Sequence, residues 1–289
     1  MEFNIIIGVL LGLMGAILIN IGKGVEKMKV HVFAQGWGMF RAPHRRDLGI
    51  WLCGMCMTAS YGVFQWGAMR FVNNPSLIVS MSGLGLVALV LFAVRVIGEK
   101  TTTKEIAGIA IIVLATVAMP YFQAPKQIQT TYNLKNLIIG TGIPLIIFGL
   151  LSLYALYSKR IHGFSFGALA GACNAVPSLL IKVSWVHVGE NAPVWDQLRE
   201  PFLYIALLVG IGATVFTQLG FWRDRAIIVV PSFMSFNIVI PAVLEYYIFG
   251  VALQPTQFVA LGAIIAGVIF LSLATPEQVL AVELEKTRS

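Results

Sequence analysis

Charge is what this chain has least of. Asp, Glu, Lys and Arg supply 11% of its 289 residues against 58% hydrophobic, and the mean hydropathy is +0.84. A soluble domain needs more polar covering than that, so an ordinary water-soluble fold is excluded and an all-α polytopic membrane protein is expected. Cysteine is nearly absent: Cys53, Cys56 and Cys173 all fall in apolar stretches, which excludes a disulfide framework. Cys53 and Cys56 share one helical face, yet no His or acid accompanies them, so metal or redox chemistry is not expected there. Nucleophile–base, hydrolase, kinase and dinucleotide motifs are also missing, and His31, His44, His162 and His187 have no ligand spacing. The expectation is a protein that is not an enzyme and carries no cofactor. The net charge of +7 comes without a nucleic-acid motif and is assigned to topology and anionic lipid. The first span begins with Glu2 rather than a basic region and has no small-x-small site before Lys23, so it reads as an uncleaved anchor.

What is present is a series of uncharged runs. They cover 3–22, 48–69, 71–94, 106–125, 136–158, 161–181, 201–222 and 226–244, with a last run from 246 to 276 broken at Gln254-Pro255-Thr256. The eighth helix is therefore expected over 226–250 and the ninth over 256–275. Each reaches the roughly 20 residues that cross a bilayer core, which gives nine transmembrane helices. Counting Lys and Arg by loop puts fifteen on one side and five on the other. Because the cytoplasmic side collects the excess, the N-terminus is expected outside and the C-terminus in the cytoplasm. The connection from Lys23 to Asp47 mixes cations with Met28, Val30, Phe33, Trp37 and Phe40, a composition suited to the membrane surface. After the last span, Thr275-Pro276-Glu277-Gln278 starts a short tail helix with an N-cap threonine and a first-turn proline.

The halves repeat. Subtracting 159 from Gly167, Gly171 and Lys182 gives Gly8, Gly12 and Lys23, and both stretches are uncharged runs ending in lysine. Gln65-x-Gly67-x-x-Arg70 recurs as Gln218-x-Gly220-x-x-Arg223, each followed by Pro-Ser, at Pro75-Ser76 and Pro231-Ser232. The helix containing 136–158 has no counterpart. The layout is two inverted four-helix repeats plus one central linking helix: 1–125, then 126–160 as the link, then 161–275, with 276–289 as a cytoplasmic tail. An odd link inverts the second repeat, an arrangement that points to a transporter with its solute path between the repeats.

The polar groups inside the spans are the candidate solute contacts: Asn20, Gln65, Asn174, Gln218 and Asn237, with Ser80, Ser82 and Ser178 near them. Either they satisfy one another or they line a path; Pro177 and Pro241, which free backbone carbonyls, favour the path. Glu245 lies inside the eighth span beside Tyr246 and Tyr247 and is the best cation or metal contact, with an interfacial acid as the plain alternative. Lys23 and Lys182 sit at helix ends, where snorkelling to the interface competes with a gating role. Glu99 is expected in a boundary ion pair with Lys100 or Arg95. Tyr61, Trp66 and Trp222 would flank a small organic metabolite or amine. The glycine pairs permit close helix contact, whether for packing alone or for rocking. The expected partners are membrane lipid and a small solute or cation, with no nucleic acid; a homodimer stays open.

The four-helix unit resembles the drug/metabolite transporter superfamily: a Gly-rich opening helix ending in lysine, Gly98-Glu99, and Gly108 nine residues past the glutamate. More closely, the chain is similar to the NIPA-like branch over Gly12 to Lys23, Phe71 to Pro75, Glu99-Lys100, Ala124-Pro125, Gly171 to Lys182, and Thr217-Gln218 through Pro231. That resemblance implies magnesium transport. Leu253 stands where the family pattern would place a second glutamate, nine residues before Gly262. The first helix also resembles that of small multidrug exporters, but Gly15, Ala16 and Asn20 occupy the region of their membrane-embedded glutamate, which disfavours antiport through that acid.

Overall fold

The computed structural model describes residues 2–71, 75–119, 131–158, 160–189, 194–250 and 253–273. Within them the chain is helical and forms no strand. The elements are α1 (Glu2–Lys29), a 3-10 segment Val30–Phe40, α2 (Ala42–Phe71), α3 (Pro75–Phe92) ending in a π turn Ala93–Ile97, α4 (Thr103–Ala118), α5 (Leu134–Ser158), α6 (His162–Val188), the single turn α7 (Val194–Gln197), α8 (Pro201–Arg223), α9 (Ala226–Phe249) and α10 (Pro255–Leu273). Six of these stretches are long and apolar enough to cross a membrane, and Gly83–Ile97 is a shorter apolar helix. This is an all-α protein of the membrane type. Large apolar side chains such as Leu150, Leu153, Leu207, Leu208 and Val259 point outward on α5, α8 and α10. An outer surface of that kind is matched by lipid rather than water. The expected end of the fourth span over 120–125, including Ala124-Pro125, the stretch 126–130 and the whole tail 276–289 lie outside the described residues.

Helix ends follow local chemistry. Thr102 and Glu105 form a reciprocal capping box that opens α4. Gly98 (φ 79°) and Gly250 (φ 68°) take the left-handed conformation that stops α3 with its π turn and α9. Pro201 stands in the first turn of α8.

The first helix departs from expectation. It does not stop at Gly22 but runs two turns further to Lys29, because nothing breaks it: Gly24 packs against Phe92 of α3, and Lys23 and Glu26 are buried. The connection expected over Lys23–Asp47 therefore shrinks to the 3-10 segment, which has Val30 and Val32 buried and Trp37 exposed, with a bend at Gly36 (φ 51°). The second helix starts at Ala42, ahead of its apolar window, with Lys29 and Asp47 paired at 2.6 Å across the gap.

Glycines set the packing. A Cβ on Gly85 would lie 2.3 Å from the Ala16 carbonyl oxygen, so α3 lies directly on α1; with Gly24 facing Phe92 further along, the two helices run parallel. Gly15 meets Phe64 while Gly22 meets Gly54 and Thr58, which makes α2 antiparallel to α1. The second half has the same relations. Gly171 touches Phe233 and Lys182 reaches Glu245, so α9 is parallel to α6; Gly210 meets Pro177 and Gly220 meets Phe166, so α8 is antiparallel to it. Between the halves, α4 and α10 cross antiparallel at Gly108 and Gly267, where a Cβ on either would lie 3.0 Å from the other's carbonyl oxygen. These two glycines are also 159 residues apart.

Hydrogen bonds fix which ends coincide. The Gly163 N–H donates to Asp224 (2.9 Å), and the Lys27 ammonium donates to the Phe221 and Asp224 carbonyls. One end of the bundle thus holds the C-termini of α1 and α8 and the N-termini of α6 and α9. At the other end, Lys182 meets Glu245 and Asn136 of α5 donates to the Tyr247 carbonyl (2.6 Å). So α1 and α6 run in opposite directions, and Lys23 and Lys182 lie toward opposite ends.

Replacing Gly85 by Ala should force α1 and α3 apart and cost about 1–3 kcal/mol, the usual effect of overpacking. Gly142→Ala on α5, with nothing within 4 Å of the added Cβ, should be neutral or mildly stabilising. Thermal unfolding of both variants in one detergent checks this; a Gly85→Ala protein as stable as the parent would contradict the close approach.

Candidate functional site: a buried lysine and glutamate between four helices

Most charged groups near the Lys23 end serve helix termini. Glu99 accepts from the Ala226 N–H (2.7 Å) and the Ile227 N–H (3.1 Å), so its carboxylate caps the positive end of α9. Burial holds the Glu99 carboxyl above its usual range, and these two donors with Lys27 and Arg225 offset only part of that rise. The Glu99 expectation of a Lys100 or Arg95 pair is thus replaced by a helix cap. Lys27 caps the C-terminal carbonyls of α8, and Asp224 accepts from the Gly163 and Arg225 N–H groups. Arg225 donates to Glu105, which is fully buried, and to the Lys100 carbonyl (2.6 Å).

Two ions are not used this way. Lys23 and Glu26 sit one turn apart on α1, 4% and 1% exposed. Glu26 reaches across because small residues let α2 come close: Gly54 packs on Gly22, and a Cβ on Gly54 would lie 2.9 Å from the Glu26 nitrogen. Thr58 of α2 donates to one Glu26 oxygen and Gln218 of α8 to the other. Gln218 in turn accepts from the Trp51 indole N–H (3.1 Å). The Lys23 ammonium stands 4.0 Å over the Phe233 ring of α9, a cation–π contact. The pair therefore lies where α1 and α2 meet α8 and α9. Two opposite charges in an apolar helix contact are costly to retain, which marks the position as a candidate site.

A related grouping stands at the other end. Lys182 bonds Glu245 at 3.0 Å and lies 4.6 Å over the Phe249 ring, and both charged side chains are about one-third exposed. Between the two ends, Asn174 donates to Asn237 at 2.9 Å.

Of the residues expected to form a site, Lys23 and Gln218 come together around Glu26, Asn174 pairs with Asn237, and Lys182 pairs with Glu245. Lys23 does not snorkel to an interface; α9 covers it. Asn20 is buried and donates to its own helix at the Ala16 carbonyl (2.9 Å), and Ser178 likewise bonds Ala175. Tyr61 packs against the core beside Gly15, while Trp222 is part-exposed and meets His31 edge-on at 6.0 Å. The side chains of Gln65, Trp66, Ser80 and Ser82 lie outside the described residues. The three cysteines are free. Sequence reasoning missed Glu26, Thr58, Trp51 and Phe233. The available signal was Lys23-x-x-Glu26-Lys27 with no helix breaker before Gly36. It also missed Glu105, although Thr102-x-x-Glu105 spells a capping box.

Comparisons of the chain with protein-family models, with curated proteins and with solved structures return no match.

Arg225→Ala should leave the Glu105 carboxylate buried and unpaired, costing about 3–5 kcal/mol. Adding Glu105→Gln, which removes the charge, should recover part of that loss. Denaturation of the single and double variants measures the coupling; equal stability of Arg225→Ala and the parent would exclude a structural role for the pair.

Proposed function

We propose that this protein is a membrane solute carrier that works by alternating access between two inverted halves, α1–α4 and α6 with α8–α10, linked by α5. The observation that carries the reading is the burial of Lys23 and Glu26 where the halves meet. Ionisable groups held inside a span face a path or a partner, and these two face both halves at once. The matching packing of α1 on α2 and α3 and of α6 on α8 and α9 supports the inversion, as does the Gly108–Gly267 crossing. In the membrane the two halves account for eight spans and α5 for a ninth, with the N-terminus outside and the C-terminus in the cytoplasm. The drug/metabolite resemblance agrees with this reading.

The magnesium expected from the NIPA-like resemblance draws less support than a small organic solute. Mg2+ takes oxygen ligands in an octahedral set and gives up water reluctantly. Among the described residues no three His, Cys, Asp or Glu side chains group as metal ligands, and the Glu245 oxygen that would serve holds Lys182 instead. Lysine also precedes and follows Glu26 within one turn.

Spin labels at Gly49→Cys on α2 and Arg160→Cys before α6, in a background without the native cysteines, report the separation of the halves. In a carrier, at least one solute from a panel of Mg2+, amines, zwitterions and organic anions shifts that distance distribution and is taken up by proteoliposomes. A distribution that no solute moves, with no uptake, would instead favour a non-transporting scaffold.

A further inference from the structure

Two ends of one helix carry the same chemistry. Phe233 and Phe249 of α9 are about 24 Å apart along its axis. Each lies under a lysine of the opening helix of one half, Lys23 or Lys182, and these lysines are related by the 159-residue offset. An acid stands beside each lysine: Glu26 one turn along α1, and Glu245 at 3.0 Å. At both ends, then, a lysine, a glutamate and an aromatic face are grouped, and with both ionisable groups charged each sums to zero.

Electroneutrality limits what such a group takes up. A solute that is only a cation would pair with Glu26 and leave Lys23 as uncompensated buried charge, and a solute that is only an anion would do the reverse. Stranding a buried charge is strongly unfavourable. A solute bearing both an ammonium and a carboxylate replaces the partners of both ions together and keeps the site neutral. Its carboxylate would take Lys23 from the Phe233 face, and its ammonium would take the place of the Gln218 donor at Glu26. Gln218 stays bonded to Trp51, so the indole senses the exchange. We propose that the solute is a small zwitterion carrying one carboxylate and one ammonium, met by a lysine–glutamate–phenylalanine group at each end of α9. This rests on the carrier reading and names its solute class.

The test uses the full chain in nanodiscs, with L-alanine and L-phenylalanine as zwitterions, L-phenylalanine methyl ester as the cation, and N-acetyl-L-phenylalanine as the anion. Binding is read by tryptophan fluorescence and by competition against radiolabelled L-phenylalanine. At least one zwitterion should bind the parent at least tenfold more tightly than both the ester and the N-acetyl compound. Lys23→Met and Glu26→Gln should each weaken that zwitterion tenfold or more while holding the parent's unfolding temperature within a few degrees. Lys182→Met should lower its uptake into proteoliposomes. Should the buried variants fail to fold, the parent's ranking of the charge forms decides alone. Equal binding of the three charge forms, or tighter binding of ester or anion, would overturn the zwitterion; so would zwitterion binding unchanged in both folded variants. A carrier that moves Mg2+ or the ester, with the inter-half distance responding, would overturn the solute class and leave the carrier reading standing.

Discussion

Everything around the junction of the halves depends on holding Lys23 and Glu26 buried inside an apolar helix contact. Both side chains are buried, so each must be held by protein groups whose positions are set by packing. Thr58 reaches Glu26 only because Gly22 and Gly54 let α1 and α2 touch backbone to backbone. Gln218 reaches it only because α8 ends beside α1, where Lys27 caps its last carbonyls. Phe233 lies under Lys23 because α9 passes through the centre of the bundle, its start fixed by Glu99. Glycine contacts, helix caps and the buried pair are one connected arrangement.

The two kinds of polar group have different physical roles. Glu99, Lys27 and Asp224 meet backbone donors and acceptors that every helix end leaves unpaired, and in an apolar surround those groups need partners whatever the protein does. Lys23 and Glu26 answer no such need. Their removal to a matched apolar pair would leave no backbone group unsatisfied, so their retention calls for a functional reason. The Lys182–Glu245 contact is more open, at about one-third exposure, than the sealed pair on α1. The structure is closed around one grouping and looser around the other.

Much of the helical plan was legible in the sequence, because uncharged runs between charges are the signal that a membrane helix requires. The ends of α9 and α10 came out within a few residues, with Gly250 and the Pro255 break as markers. The polar residues Asn174, Asn237, Lys182 and Glu245 were also visible, since each interrupts an apolar run, and their common spacing of 63 reflects two parallel helices in contact. What composition hid was the end of α1. A charge ends a span only when nothing covers it, and α2, α8 and α9 cover Lys23 and Glu26. Whether a lysine snorkels or is buried depends on neighbours nearly 200 residues away, such as Gln218, which no local pattern contains.

The central claim is that the halves are inverted, so that the Lys23 and Lys182 groupings face opposite sides of the membrane. Single cysteines at Lys100→Cys, by the start of α9, and at Lys135→Cys, by its end, test this in a background without Cys53, Cys56 and Cys173. A membrane-impermeant maleimide should label the first from the cytoplasmic side only and the second from the outer side only. Labelling of both from the same side would contradict the account.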